Sequence, residues 1–293
     1  MNVIVFGGCG FLGSWIVTKL LREGYDVTIF DLKMDKNLLN KLLADEISRV
    51  KFIRGDITKY DEVLSSTQNM QYVINLAGLM TPDCSENPSL GAKVNIIGSI
   101  NVFDAVKSHG IPFLVYASSA GVFGKNDQYY PVPETHYGSY KLAVEGIARA
   151  YFNESNISSI GIRPFVIYGP GREVGGTAGV TLGCKAAKEK YSYIINFTGS
   201  AGFVFVDDVV DLVQMSIEKA PIGATTININ GITTSVKNFV NIIKKNIPLA
   251  NISFKGNSLA VVEEILGGEP SEVFKDFKYT SLEDGIKKTI DFY

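Results

Sequence analysis

Tyr137 and Lys141 lie four residues apart in THYGSYKLAVE (135–145), a spacing that puts both side chains on one face of a helix. A phenol of ordinary pKa about 10 is a poor base near neutrality, and a neighbouring ammonium favours its phenolate. Just upstream, YASSAGVFG (116–124) follows an apolar run and offers Ser118 and Ser119. Either hydroxyl could hold a substrate oxygen while the tyrosine moves its proton. Tyr140, one residue before Lys141, faces elsewhere on the helix and is read as a packing residue. In a chain with 14 tyrosines a Y-x-x-x-K pair also arises by chance, so the chemistry depends on what surrounds it.

A second constellation opens the chain. MNVIVFGGCGFLGSW runs from an apolar, β-branched stretch straight into Gly7, Gly10 and Gly13, after which apolar residues return with helical spacing. Glycines at such a strand-to-helix turn serve the tight turn, the close approach of a pyrophosphate and the packing of helix on strand. The free N–H groups of the helix N-terminus then face the phosphates. The next strand-like run, DVTIF, ends in Asp31, about 20 residues beyond the turn, where a carboxylate accepts hydrogen bonds from both ribose hydroxyls of an adenosine. A 2′-phosphate would be repelled there, which favours NAD over NADP, with Lys33 softening the preference. GDIT (55–58) could place Asp56 near the adenine amino group, and NLAG (75–78) ends a further strand in small residues that let a cofactor pass close.

The elements that must position these groups follow a pattern. Apolar strand-like runs at 2–6, 26–30, 50–53, 72–76, 112–117 and 158–162 alternate with helical stretches such as 12–22, 88–108 and 138–152. Alternation of this kind predicts an α/β fold, a Rossmann-type doubly wound parallel sheet covered on both faces, with ligands along one edge. Beyond about residue 163, RPFVIYGPGREVGGTAGV is rich in glycine and proline and the pattern becomes less regular. We therefore expect an NAD-binding domain of residues 1–165 plus about 203–220, where FVFVDDVVDLV reads as a strand feeding a helix that returns to it. A smaller mixed α/β substrate lobe would take 166–202 and 221–293.

Composition narrows the partners. Lys and Arg total 28 against 30 Asp and Glu, a net charge of −2, which offers no electrostatic footprint for nucleic acid or an anionic membrane. A small-molecule substrate is expected. Cys9, Cys84 and Cys184 are scattered without a C-x-x-C pair and only His109 and His136 are present, so neither a disulfide framework nor a metal centre is expected. The cysteine usage fits a cytoplasmic setting, and neither a signal peptide nor an apolar run of membrane-spanning length is evident.

GGCGFLG, Asp31, GDIT, NLAG, VYASSAGVFG, YGSYKLAVE, RPFVIYGPG and FVFVDDVV, in that order, resemble the extended short-chain dehydrogenase/reductases, the group of NAD-dependent epimerases and dehydratases. The resemblance runs from residue 1 to about 215. It implies catalytic roles for Ser119, five residues before Gly124, as the serine; for Tyr137 as acid/base; and for Lys141 as the lysine that binds ribose and tunes the tyrosine. Cofactor contacts are implied at Gly7, Gly10, Phe11, Leu12, Gly13, Asp31, Asp56, Ile57, Leu76, Ala77, Gly78, Asn95, Tyr137, Lys141 and Pro164. It further implies a homodimer formed through paired helices, here those near 88–108 and 138–152.

The substrate is less constrained. Relatives acting on nucleotide sugars usually carry asparagine in R-x-F-N-x-Y-G and arginine in a motif like R-D-F-V-x-V-D-D, where this chain has Val166 and Ala201-Gly202-Phe203. No arginine follows Arg172, and guanidinium groups are the best clamps for a diphosphate. Thr81 in LMTPD and Thr177 in VGGTAGV, with AGLMTPDCSENP, more loosely resemble the short-chain type of L-threonine dehydrogenase. Any aromatic wall late in the pocket would come from Phe274, Phe277 or Tyr279. Ser119, Tyr137, Thr81 and Thr177 are thus the expected substrate contacts. The sequence favours hydride transfer between NAD and a secondary alcohol or carbonyl of a small polar substrate, such as a hydroxy or amino acid or a sugar derivative. The rivals are a nucleotide-sugar epimerase or dehydratase that retains NAD and, last, a dinucleotide sensor without catalysis.

Overall fold

A computed structural model describes residues Met1–Tyr293. Its strands are β1 (Asn2–Phe6), β2 (Asp26–Asp31), β3 (Lys51–Arg54), β4 (Tyr72–Asn75), β5 (Phe113–Ala117), β6 (Ser158–Pro164), β7 (Val166–Tyr168), β8 (Tyr193–Ile195), β9 (Ser200–Phe205), β10 (Ala224–Ile229), β11 (Ile232–Ser235) and β12 (Ile252–Phe254). The helices are α1 (Phe11–Arg22), α2 (Asn37–Leu43), α3 (Tyr60–Ser66), α4 (Thr81–Glu86), α5 (Pro88–Ala92), α6 (Gly98–Ser108), α7 (His136–Ser155), α8 (Gly179–Glu189), α9 (Val206–Lys219), α10 (Val236–Asn246), α11 (Pro270–Val273) and α12 (Leu282–Phe292).

The chain divides into two compact units, the first made of Met1–Val122, Thr135–Arg163 and Val210–Ile227, the second of Phe123–Glu134, Pro164–Val209 and Asn228–Tyr293. A seven-stranded sheet runs in the order β10-β6-β5-β4-β1-β2-β3. β1 pairs in parallel with both β2 and β4, and the order reverses there. Such a reversal opens the crevice at the carboxyl ends of the strands where ligands of doubly wound sheets bind. β1 is buried from Val3 to Phe6, as a strand covered on both faces must be. Ile4, Phe6, Phe30, Val73, Phe103, Leu114 and Val144 meet in one apolar core.

α7 begins where Thr135, in extended conformation, accepts the Gly138 N–H on its hydroxyl at 3.1 Å, and it ends at Asn156 in the left-handed region. The helix predicted over 88–108 is present without a break, as α5, a π-helical turn over Lys93–Ile97, and α6. The wide turn carries Asn95 into the interior, and widened turns of this kind concentrate at functional positions. In the second unit β9 stands between β11 and β7, and β12 pairs with β8. Phe274 is fully buried and Phe277 nearly so. No helix is long and apolar enough to cross a membrane.

Candidate active site

The glycine turn is built as the spacing demands. Gly7 has φ +78°, and a Cβ there would lie 2.9 Å from the Ala77 nitrogen and 3.1 Å from the Leu76 carbonyl carbon. The ends of β1 and β4 therefore touch only because residue 7 has no side chain, and Leu76, Ala77 and Gly7 share one edge. A Cβ at Gly13 would sit 2.4 Å from the Gly7 oxygen and 2.7 Å from the Gly8 Cα, so α1 lies directly on the turn. Gly10, as the N-cap of α1, is exposed and supplies no side-chain cap, while Phe11 and Leu12 begin the helix half-buried. The first turn of α1 also holds no carboxylate. The positive end of its dipole thus meets no competing carboxylate from its own first turn.

Asp31 ends β2 beside this turn. Its Oδ2 accepts the Cys9 N–H and its Oδ1 the Lys33 N–H, each at 3.0 Å. The aspartate is thus aimed by backbone on both sides, and each oxygen has further lone pairs for ribose hydroxyls. The Cys9 thiol, pushed up to about 12 by burial and by the neighbouring Asp31 charge, stays protonated. Asp56 follows β3, where Thr58 donates to its Oδ1 from both N–H (2.9 Å) and hydroxyl (2.8 Å). Burial works against the Asp56 carboxylate, but these bonds outweigh it and hold the group below its ordinary value. Ile57 is buried, and its carbonyl accepts from Asn101 Nδ2 at 2.9 Å.

At the carboxyl end of β4, Gly78 faces two polar atoms: a Cβ there would lie 2.5 Å from Asn95 Oδ1 and 3.5 Å from Lys141 Nζ. Asn95 is buried, and its Nδ2 donates to the Leu79 and Gly91 carbonyls at 3.2 and 3.0 Å. Its Oδ1 has no partner. A buried carbonyl oxygen without a donor is costly, and one beside a cofactor seat asks for a donor from the ligand. With the glycine cradle and Asp31, this atom makes the residues present fit a bound dinucleotide.

The expected acid/base residues gather on α7 and just beyond β5. A Cβ at Gly121 would lie 3.2 Å from Ser119 Oγ and 3.6 Å from Tyr137 Cδ1, so serine and tyrosine flank the same glycine. Lys141 Nζ stands 5.7 Å from the centre of the Tyr137 ring and donates to the Ala117 carbonyl at 2.7 Å. Burial lowers the Lys141 ammonium to about 8, against the opposing pull of Cys84 and Glu145. Tyr140 turns away, its hydroxyl donating to the Pro88 carbonyl at 2.9 Å. Thr81 is exposed at the start of α4 in the first unit. Pro164, at the end of β6, and half-buried Thr177, before α8, belong to the second.

Sequence reasoning missed Glu145 and Arg163. Their carboxylate and guanidinium form a buried, bidentate pair, Nε to Oε1 at 2.7 Å and Nη2 to Oε2 at 2.6 Å. Ser118, one of the two serines considered, donates its hydroxyl to the same Oε1 at 2.5 Å. The available signal was the i+4 spacing of Glu145 from Lys141.

The family model of the NAD dependent epimerase/dehydratase family matches residues 3–230. A putative UDP-glucose 4-epimerase of Methanocaldococcus jannaschii is 29% identical over 99% of this chain and 97% of its own. The decarboxylating sterol-4-alpha-carboxylate 3-dehydrogenase of Bos taurus is 31% identical over 70% of this chain and 57% of its own. Among solved structures, a partial consensus L-threonine 3-dehydrogenase superposes with a TM-score of 0.87 at 16% identity, over 99% of this chain and 98% of that one, a likeness of fold. The matched stretch spans the glycine turn, Asp31, Ser119, Tyr137 and Lys141, and the chain belongs to the NAD dependent epimerase/dehydratase family, an NAD-dependent enzyme of the extended short-chain dehydrogenase/reductase type.

Proposed function

We propose that the protein transfers hydride between NAD and a secondary alcohol or carbonyl carbon of a small polar substrate, with Ser119, Tyr137 and Lys141 as the acid/base set. The observation that carries this is the convergence of Ser119 and Tyr137 on Gly121 with Lys141 between Tyr137 and Gly78. NAD, when bound, supplies the hydride acceptor or donor. Tyr137 takes the proton of the substrate hydroxyl, or returns one to a carbonyl oxygen, and Ser119 Oγ holds that oxygen. Lys141 donates to Ala117 and has two further hydrogens for a ribose. Its ammonium favours the Tyr137 phenolate up to a pH of about 8. The cofactor contacts in this reading are Gly7, Gly10, Phe11, Leu12, Gly13, Asp31, Asp56, Ile57, Leu76, Ala77, Gly78, Asn95 and Pro164. Thr81 and Thr177 are assigned to the substrate.

The substrate assignment rests on charge. The second unit contains one arginine, Arg172, in the Gly-Pro-Gly turn after β7. A nucleoside diphosphate is best gripped by several bidentate guanidinium groups. A second reading, epimerisation of a nucleotide sugar with NAD retained, is favoured by the nearly full-length similarity to a putative UDP-glucose 4-epimerase. Within the same proposal, residues 1–165 with about 203–220 bind NAD, and 166–202 with 221–293 bind substrate. The protein would act as a cytoplasmic homodimer, a compartment in keeping with three free cysteines.

The deciding experiment measures NAD carried through purification, then follows NADH absorbance with hydroxy acids, amino acids and free sugars, and epimer formation from UDP-glucose. Protein that binds added NAD and accumulates NADH with a small alcohol supports the first reading. Retained NAD with epimer formation and no net NADH replaces it with the second.

A further inference from the structure

The buried Glu145–Arg163 pair calls for an account of its own. Taking two charges out of water is expensive, and apolar residues of similar volume often stabilise a fold as well or better, so such a pair is weak evidence of a stabilising role. What it does supply is direction, because a bidentate guanidinium–carboxylate contact tolerates little rotation. Here three elements meet at one carboxylate: Glu145 on α7, Arg163 on β6, and Ser118 just beyond β5.

The sequence positions give the contact its meaning. Tyr137, Lys141 and Glu145 occupy successive turns of one face of α7. At the end of β5, the Ala117 carbonyl accepts from Lys141, the Ser118 hydroxyl donates to Glu145, and Ser119 comes next. The Ser118 N–H is taken by the Ile162 carbonyl of β6 at 2.7 Å, one residue before Arg163. The helix face that carries tyrosine and lysine is therefore tied to the strand end that carries serine at the two residues immediately before that serine. Sliding or rotating α7 by a fraction of a turn would break these bonds together.

We propose that Glu145, held by Arg163 and reading the strand end through Ser118, is the positioning residue that sets the register of Tyr137 and Lys141 against Ser119. This rests on the assignment of those three as the acid/base set. Glu145 does not touch substrate; it acts through Ser118 and α7.

The test compares Ser118→Ala, Ser118→Thr and the double variant Glu145→Leu/Arg163→Met, the last removing both charges while keeping bulk so that no buried charge is left unpaired. Thermal unfolding, NAD binding, amide exchange at Gly121 and Val122, and kcat and KM on the substrates named above are measured in the full-length protein. Gly121 and Val122 are chosen because their N–H groups bond to the Ser119 hydroxyl and carbonyl. Ser118→Ala and the double variant should keep the unfolding midpoint and NAD affinity of the parent. They should exchange those amides about tenfold faster and lose about tenfold or more in kcat with KM little changed, since misplacement by about 1 Å can cost 10²-fold. Ser118→Thr, which keeps the hydroxyl, should recover both. Parental exchange in Ser118→Ala, or exchange that rises only in step with a lower midpoint, overturns the proposal. Should no substrate turn over, the reading of the function fails, and the exchange data alone still decide whether Glu145 fixes the register.

Discussion

Tyr137 and Lys141 carry the sharpest expectations at the level of single residues. Tyr137→Phe should lower turnover by about a hundredfold or more, a usual scale for a positioned acid/base, with NAD affinity retained. Turnover equal to the parent would remove Tyr137 from the chemistry. Lys141 leaves a mark on stability as well. Its folded-state value, lowered by burial from 10.5 to about 8, means that the unfolded chain binds more protons between those two pH values. The contribution of Lys141 to stability therefore rises with pH across that window, while below about pH 8 both states are protonated and the cost of burying the charge is constant. The unfolding free energy of the parent minus that of Lys141→Met, followed from pH 7 to 10.5, should rise with pH, since the buried cysteines and tyrosines titrate alike in both; a constant difference would mean that the ammonium is not buried. The sequence announced Tyr137, Lys141 and Ser119 because their chemistry has a spacing along the chain. It was silent on Arg163, which meets Glu145 only because β6 lies next to β5, a fact of tertiary pairing.

Among the elements, the strand-to-helix turn and α7 were the most legible. Gly7, Gly10 and Gly13 interrupt a periodicity that changes from strand to helix within a few residues, and the bounds of β1 and α1 follow closely. Gly13→Ala should be among the most damaging small changes in the chain, since its Cβ would meet backbone atoms that cannot swing aside. We expect loss of measurable NAD binding together with a lower unfolding midpoint; unaltered binding by calorimetry would show that α1 can lift from the turn at little cost. The π-helical turn at Lys93–Ile97 was illegible, because apolar spacing alone cannot distinguish a continuous helix from one carrying an extra residue in a turn. β10 escaped notice for a different reason: ATTINI lies at one end of the sheet, and its first three residues are only partly buried, leaving a weak apolar signal. β6 and β7 are separated by Phe165 alone yet belong to different sheets, a division that lies within the glycine- and proline-rich stretch where the sequence pattern becomes irregular.

For the whole molecule, the proposed homodimer makes its own prediction. Leu90 and Ile97 are each 46% exposed on the stretch that the resemblance assigns to the paired helices. Leu90→Glu combined with Ile97→Lys should shift the sedimentation coefficient from dimer to monomer while leaving the far-ultraviolet circular dichroism unchanged. A parent that sediments as a monomer would withdraw the dimer. The second unit was the least legible part of the chain, since its three-stranded and two-stranded sheets join strands distant in sequence, such as β8 and β12.

The bond from the Cys9 N–H to Asp31 Oδ2 bears on attempts to re-engineer cofactor preference. The carboxylate that would select the ribose also clamps the peptide that would approach the pyrophosphate. An exchange of Asp31 for a residue without an acceptor oxygen, made to admit a 2′-phosphate, would release that peptide and loosen a turn that both dinucleotides would share. A usable redesign for NADP therefore has to keep an acceptor at position 31 for the Cys9 N–H, as asparagine or serine would, before adding a cation for the extra phosphate.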